Sequence, residues 1–350
     1  MEDYANPPTL GALVLRNELT ESVHYADAVV VDYKGRLIAS AGSPQRVTFL
    51  RSASKPLQAI PMLMDKLDIQ YGFTMEEIAV MCASHSGTLE HVELVRSALK
   101  KIGLDESYLQ CGVHEPFDKS TAEFLKLNNI ELTPAFHNCS GKHTGMLAQC
   151  VYHKWPLQTY FLLDHPVQQR ILKIVSEFFE MPPEKVEIGI DGCGVPVFGV
   201  PLYNAALAFA KLGTPEILPE EYKEPASKVA MAMTNYPHLV AGKGRFDTEF
   251  MRSFQGAFLS KGGAEAVQLV SVLNRGLGIA VKVVDGSSRA LGAITLEVLR
   301  QLGLVTDEDV HGEALKNQYQ PPVKNHRQEV VGIIEPVIKL KVDPGWKVLS

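Results

Sequence analysis

The sequence predicts an α+β protein whose mainly antiparallel sheet is built from both ends of the chain, with a helical middle. Three observations carry this reading. Short runs rich in Val, Leu and Ala occupy residues 10–16 and 27–33, and a turn separates them from Arg36–Ser40. Comparable runs return at 267–272 and 278–284, joined through Asn274-Arg275-Gly276. The stretch between is dominated by longer segments with helical character. One domain, 1–350, is therefore expected, with a sheet lobe at about 10–50 and 256–345 and a mainly helical lobe at about 54–255.

Taken in order, the first hairpin closes on Tyr33-Lys34-Gly35. A helix is expected from Ser54 to about Leu67, bent or interrupted at Pro61, which has no N–H to donate. Ile78–Ala83 is a compact apolar run, expected to be buried, and it ends at Ser84-His85-Ser86-Gly87. Thr88–Ile102 reads as an amphipathic helix stopped by Gly103. Further helices are expected at 120–127, 146–152, from Asp164-His165-Pro166 to about Glu180, and at 203–212, 225–235 and 247–255. Ile188–Ile190 is strand-like, as is the stretch before Lys261-Gly262-Gly263. A helix from about Ser288 to Leu302, a polar loop over 314–328 and a strand within Val330–Leu340 complete the chain.

Composition narrows the function classes. The chain has 350 residues, 46% of them hydrophobic and 21% charged, which is ordinary globular composition. A formal net charge of −6 and no long basic run argue against nucleic acid as a partner. No apolar run reaches the roughly 18 residues that a membrane span needs. The acidic start, Met1-Glu2-Asp3-Tyr4, lacks the basic and apolar regions of a signal peptide, so a cytoplasmic location is expected. The five cysteines are odd in number and form no Cys-x-x-Cys pair, which points to thiols or metal ligands rather than a disulfide framework.

Four groups carry chemistry. Ser52 stands three residues before Lys55, a spacing that puts both on one helical face. A lysine whose pKa is lowered by burial can take the proton of a serine hydroxyl, and Ser-x-x-Lys serves acyl transfer in serine β-lactamases and penicillin-binding proteins. The bland alternative is a helix cap at Ser52 or Ser54. Lys261-x-Gly263 stands where such enzymes place a second lysine, with a glycine that lets substrate approach the backbone. Ser84 ends a buried run, as a residue at a cleft floor does, or it belongs to a turn before a capped helix. His85 has no evident partner and reads as a surface or structural residue. Finally Cys139, Lys142, His143, Asp191 and Cys193 lie in two glycine-rich segments. Two thiolates there could bind zinc, Cys139 and His143 could form a thiol–base pair, or both cysteines are simply buried.

Together and in order, Arg51-Ser52-Ala53-Ser54-Lys55-Pro56, Met81-Cys82-Ala83-Ser84-His85-Ser86, Asn138-Cys139-Ser140-Gly141-Lys142-His143, Asp191-Gly192-Cys193 and Lys261-x-Gly263-Ala264 resemble the Rhizobium-type L-asparaginase family, also called the asparaginase II protein family. The resemblance runs from about residue 10 to residue 340. It implies a fold similar to serine β-lactamases and glutaminases, a homodimer, and hydrolysis of L-asparagine to L-aspartate and ammonia, a step of asparagine catabolism. It implies catalytic pairs Ser52–Lys55 and Ser84–Lys261, and a zinc site made by Cys139, Lys142 and Cys193. Arg51, His143, Asp191 and Gly263 are the substrate-binding candidates, with His143 and Asp191 also supporting the zinc site. The family pattern has a cysteine after a Gly-Arg-aromatic step, where this chain has Asp247 after Gly244-Arg245-Phe246. Two other readings stay open: a β-lactamase-like or peptidase-like serine hydrolase acting on another amide, and a non-catalytic amino-acid-binding protein.

Overall fold

The computed structural model describes residues 7–273 and 275–347. The acidic segment Met1–Tyr4 and Asn274 of the expected turn lie outside the described residues. Strands β1 (Thr9–Arg16), β2 (Leu19–Asp32) and β3 (Leu37–Ala41) open the chain as antiparallel neighbours. The turn into β3 places Gly35 at φ 82°, the left-handed region that glycine enters without a Cβ clash. β4 (Val47–Phe49) then leads into a 3₁₀ turn at Arg51–Ser54 and helix α1 (Lys55–Met64).

The middle is mostly helical, as expected: α2 (Leu67–Tyr71), α3 (Met75–Met81), α4 (Leu89–Lys101), α5 (Lys119–Leu127), α6 (Ser140–His153) and α7 (Pro166–Phe179). After β5 (Glu187–Ile190) and β6 (Pro196–Pro201) come α8 (Leu202–Leu212), α9 (Glu220–Asn235), α10 (Pro237–Val240) and α11 (Phe246–Ser253). The last third supplies β7 (Phe258–Gly263), β8 (Val267–Val272) and β9 (Leu277–Val283), then α12 (Leu291–Gln301), α13 (Asp307–His311) and α14 (Lys316–Tyr319). β10 (Pro322–Lys324), β11 (Val330–Pro336) and β12 (Lys341–Val342) finish it.

Both chain ends do build one sheet. Its order is β10-β11-β1-β2-β9-β8-β7, with β3 pairing β2 and β12, nine strands among the described residues. The centre is the β2–β9 pair, where Ala28 faces Val281 and Val30 faces Ile279. Val29, Val30 and Val31 are all fully buried. A continuous apolar run of this kind means that both faces of the strand are covered, and α8 and α12 both pack on this sheet.

Local chemistry explains the differences from expectation. Thr74 and Glu77 form a reciprocal capping box that starts α3, so most of the apolar run at 78–83 is helical. Pro61 does not break α1, but the helix ends one turn later, and left-handed Lys66 starts a separate α2. The helix expected from 146 begins at Ser140, so Lys142 and His143 are helical. Gly141 allows this, because a Cβ there would lie 2.1 Å from Val80 O of α3. Within the expected loop at 314–328, α14 and β10 form. A small sheet, β4-β6-β5, was readable only at Ile188–Ile190.

Candidate active site

Ser52 sits in the 3₁₀ turn that feeds α1. The backbone reverses at Arg51, whose φ of 51° is unusual for a residue with a side chain. Asp191 holds that residue in place by accepting from Arg51 Nε at 2.7 Å. Pro56 occupies the first turn of α1, where a missing N–H costs little. β7 closes against the same turn. A Cβ on Gly263 would lie 2.4 Å from Leu50 O and 3.1 Å from Ala53 N, so glycine permits the approach.

Lys55 is fully buried. Its Nζ lies 2.6 Å from Ala83 O, 3.3 Å from Asn138 O and 3.0 Å from Ser84 Oγ. The helical spacing predicted Ser52 as the partner, yet among the described residues no hydrogen bond joins Ser52 Oγ to Lys55. The reason is the carbonyl pair: a buried amine follows its acceptors, and the four-carbon stem is long enough to reach them. From the other side, Lys261 Nζ lies 3.2 Å from Ser84 Oγ and 2.6 Å from Gly262 O. Ser84 Oγ is therefore bracketed by two lysine nitrogens. A hydroxyl has one proton to give and two lone pairs to accept with, so it can pass a proton from one amine toward another group.

A cavity of about 420 Å³ opens onto this cluster, and Ser52, Ser84, Asn138, Arg245, Asp247 and Gly263 are on its wall. Burial lowers the pKa of Lys55 from the usual lysine range, and the neighbouring Lys142 ammonium pushes the same way. Burial draws Lys261 down to about 7, with Lys55 and Arg245 lowering it further and the Asp247 carboxylate opposing them. Both amines are thus easier to neutralise than an exposed lysine, which a general base requires.

The sulfur cluster lies directly behind. Lys142 Nζ approaches Cys193 Sγ at 3.0 Å. A hydrogen bond with Cys139 and, against burial, the Lys142 ammonium bring Cys193 down to about 5, so it is a thiolate at neutral pH. Asp191 Oδ2 stands 4.0 Å from the same sulfur. Two sulfurs and one amine nitrogen converge, a soft donor set that fits zinc once Lys142 gives up its proton. Among the described residues no group of three or more His, Cys, Asp or Glu side chains forms a metal-binding set. His143 is buried, with Nδ1 2.6 Å from Tyr160 Oη and Nε2 without a hydrogen-bond partner.

The candidates thus assemble in one region, in distinct layers. Ser52, Ser84 and Gly263 line the cavity, Lys55 and Lys261 support its floor, and Cys139, Lys142 and Cys193 cluster near Asn138. Arg51 and Asp191 pair with each other. The other three thiols, Cys82, Cys111 and Cys150, are buried and pushed up to about 12, which makes them inert. All five cysteines are unpaired. Arg245, Phe117, Gln268 and Arg289 also line the cavity and were not singled out. Asn138 belongs to the Asn138–His143 motif and Arg245 to the Gly244-Arg245-Phe246 step, whereas Phe117 has no signal in the sequence.

His85 proves to be structural: fully buried, 2.9 Å from Ser140 Oγ and stacked on His91. Burial holds His85 well below its usual pKa and His91 down to about 4. The unfolded chain therefore binds more protons than the folded one below about pH 6.5, and stability falls as pH drops through that value toward about 4. The two groups together should cost about 3 kcal/mol on going from neutral pH to roughly one unit below the histidine pKa. Thermal melts of the wild type should show this loss, and His91→Asn should reduce it.

A family model described as L-asparaginase II matches residues 12–336. A crystal structure of Mglu in its native form is similar at 14% identity and TM-score 0.46, covering 82% of this chain and 66% of that one. Mglu in its glutamate form gives 15% identity and TM-score 0.37, covering 80% of this chain and 61% of that one. This chain thus spans slightly less than two thirds of those chains. Curated protein sequences contain no match. Among the described residues no helix is long and apolar enough to cross a membrane.

Proposed function

Because the chain belongs to the L-asparaginase II family, we propose that it is an L-asparagine amidohydrolase working through a serine activated by lysine. The observation that carries this is Ser84 Oγ held between Lys55 Nζ at 3.0 Å and Lys261 Nζ at 3.2 Å, with Ser52 on the same cavity wall. Ser52 Oγ is the nucleophile. It makes no hydrogen bond to the described protein and lies at the start of a helix, where free N–H groups favour developing negative charge.

Ser52 Oγ attacks the side-chain amide carbon as the C–O bond forms, and its proton goes to the Lys55 amine, which turns from Ser84 toward Ser52 once substrate is bound. Ser84, recharged by the two lysines, protonates the amide nitrogen as the C–N bond breaks, and ammonia leaves. Water then cleaves the aspartyl ester by the same proton path and restores Ser52. Two N–H groups of a neutral Lys55 satisfy Ala83 O and Asn138 O, which leaves its lone pair for the hydroxyl proton.

Cys139, Lys142 and Cys193 would hold zinc, which when bound supplies a fixed positive charge for the α-amino or α-carboxylate end of the substrate. Stripping it with a chelator should raise KM roughly tenfold or more and change kcat much less. Metal analysis should find zinc in the wild type and little in Cys193→Ser. A collapse of kcat at saturating asparagine would contradict this role. The homodimer is carried over from the family resemblance, and the five free thiols support a cytoplasmic location.

One observation favours a second reading. The shortest serine–lysine contact is made by Ser84, which would make Ser84 the nucleophile. Peptide mapping of an acyl adduct, trapped with a reactive asparagine analogue, separates the two. An adduct on Ser52 supports the assignment above, and one on Ser84 reverses it.

A further inference from the structure

Asp247 is a buried carboxylate on the cavity wall that the proton path above does not use. It lies in the first turn of α11, where a helix N-terminus favours an anion. Its Oδ1 accepts from Ser260 Oγ at 2.8 Å and Gln268 Nε2 at 2.8 Å. Its Oδ2 accepts from Gly262 N–H at 2.8 Å and stands 3.9 Å from Lys261 Nζ. Ser260 and Gly262 are the chain neighbours of Lys261, and Gln268 pairs with Gly262 across the hairpin. One carboxylate therefore grips the strand on both sides of the lysine and also faces its ammonium.

From this geometry we propose that Asp247 is the positioning residue for Lys261: it fixes the amine against Ser84 and favours its ammonium form, so that Lys261 acts as the acid of the pair and Lys55 as the base. The division follows from the neighbours. The charged and titratable groups facing Lys261 are Asp247 from α11, Arg245 before it, Lys55 from α1, Cys139 before α6 and Cys82 after α3. Arg245 repels an ammonium, and Lys55 does so only when it carries a proton. Cys82 is a neutral thiol at neutral pH, and Cys139 acts on Lys261 more weakly than Asp247, Lys55 or Arg245. Asp247 is thus the main anion that favours the charged form.

The inference rests on the amidohydrolase reading, and the test separates the two. The Lys261 titration is followed by NMR with ¹³C-labelled lysine in the wild type, Asp247→Asn and Asp247→Glu, beside the pH dependence of kcat. Removing one negative charge at this distance should lower the Lys261 midpoint by about one pH unit or more in Asp247→Asn. The basic limb of kcat should move down by the same amount, so that the variant loses about five times more activity at pH 8 than at pH 6. Asp247→Glu keeps the charge and should hold the midpoint near that of the wild type, whatever its kcat. A folded Asp247→Asn with an unmoved midpoint and a kcat lowered equally at all pH values would overturn the inference. A shifted midpoint in protein that releases no ammonia would instead retain the electrostatic role of Asp247 and overturn the amidohydrolase reading.

Discussion

Replacing Ser52 with alanine should lower kcat for ammonia release by about ten-thousandfold or more while leaving the fold intact. The side chain is small, makes no hydrogen bond to the described protein, and lies on the cavity wall, so its loss should cost little stability. The loss in rate is large because the hydroxyl is the atom that forms the covalent bond. The groups around it act as a unit, so single losses approach the cost of removing them all. Ser84→Ala should be almost as damaging, since it removes the hydroxyl that touches both lysines. The double variant should then be little worse than Ser52→Ala alone. Steady-state kinetics with a thermal melt on each variant checks this. Near-additive effects would show that the two serines serve separate steps or that one of them is structural.

Lys55→Met should lower kcat by about a thousandfold, within the range for loss of a general base. Its effect on stability should run the other way from intuition. Lys55 is fully buried, and burial works against its charged form. Methionine has a similar volume and removes that burden, while leaving Ala83 O and Asn138 O without the amine donor. The apolar exchange relieves the cost of burying the amine, while each orphaned carbonyl costs about 1–3 kcal/mol. The melting temperature should therefore change by only a few degrees while activity disappears. Lys55→Ala should be less stable than Lys55→Met, because it adds a cavity to the same loss. A Lys55→Met protein with substantial turnover would assign the base to Lys261.

The fold was readable from periodicity where a segment's own residues decide its structure. The Val-rich strand at 27–33 and the late hairpin are short, β-branched and bounded by turn residues, and both form as expected. The run at 78–83 was not readable as a helix, because apolar length alone does not separate buried strand from buried helix; the deciding signal was Thr74 with Glu77 just upstream. The start of α6 was missed for a tertiary reason, since Gly141 is placed by the close approach of α3.

The site followed the same division. Ser52, Lys55, Ser84 and Lys261 stood out by residue type and order, and the structure gathers them around one cavity. What the spacing could not show was direction. Lys55 shares a helical face with Ser52, but the acceptors it needs lie on the segments around Ala83 and Asn138, far away in sequence. Asp247 drew notice only as a departure from a family pattern. Its grip on Ser260, Gly262 and Gln268 depends on the pairing of β7 with β8 beside α11, which no linear pattern contains.

The most direct test is ammonia release from L-asparagine by the purified chain, measured beside L-glutamine, D-asparagine, a buffer blank and the Ser52→Ala variant. The account predicts saturable release from L-asparagine that disappears in Ser52→Ala. Well-folded, zinc-supplemented protein that releases no ammonia above the blank would contradict it, and hydrolysis of a β-lactam or a D-Ala peptide by that same protein would move the serine–lysine cluster to a different amide.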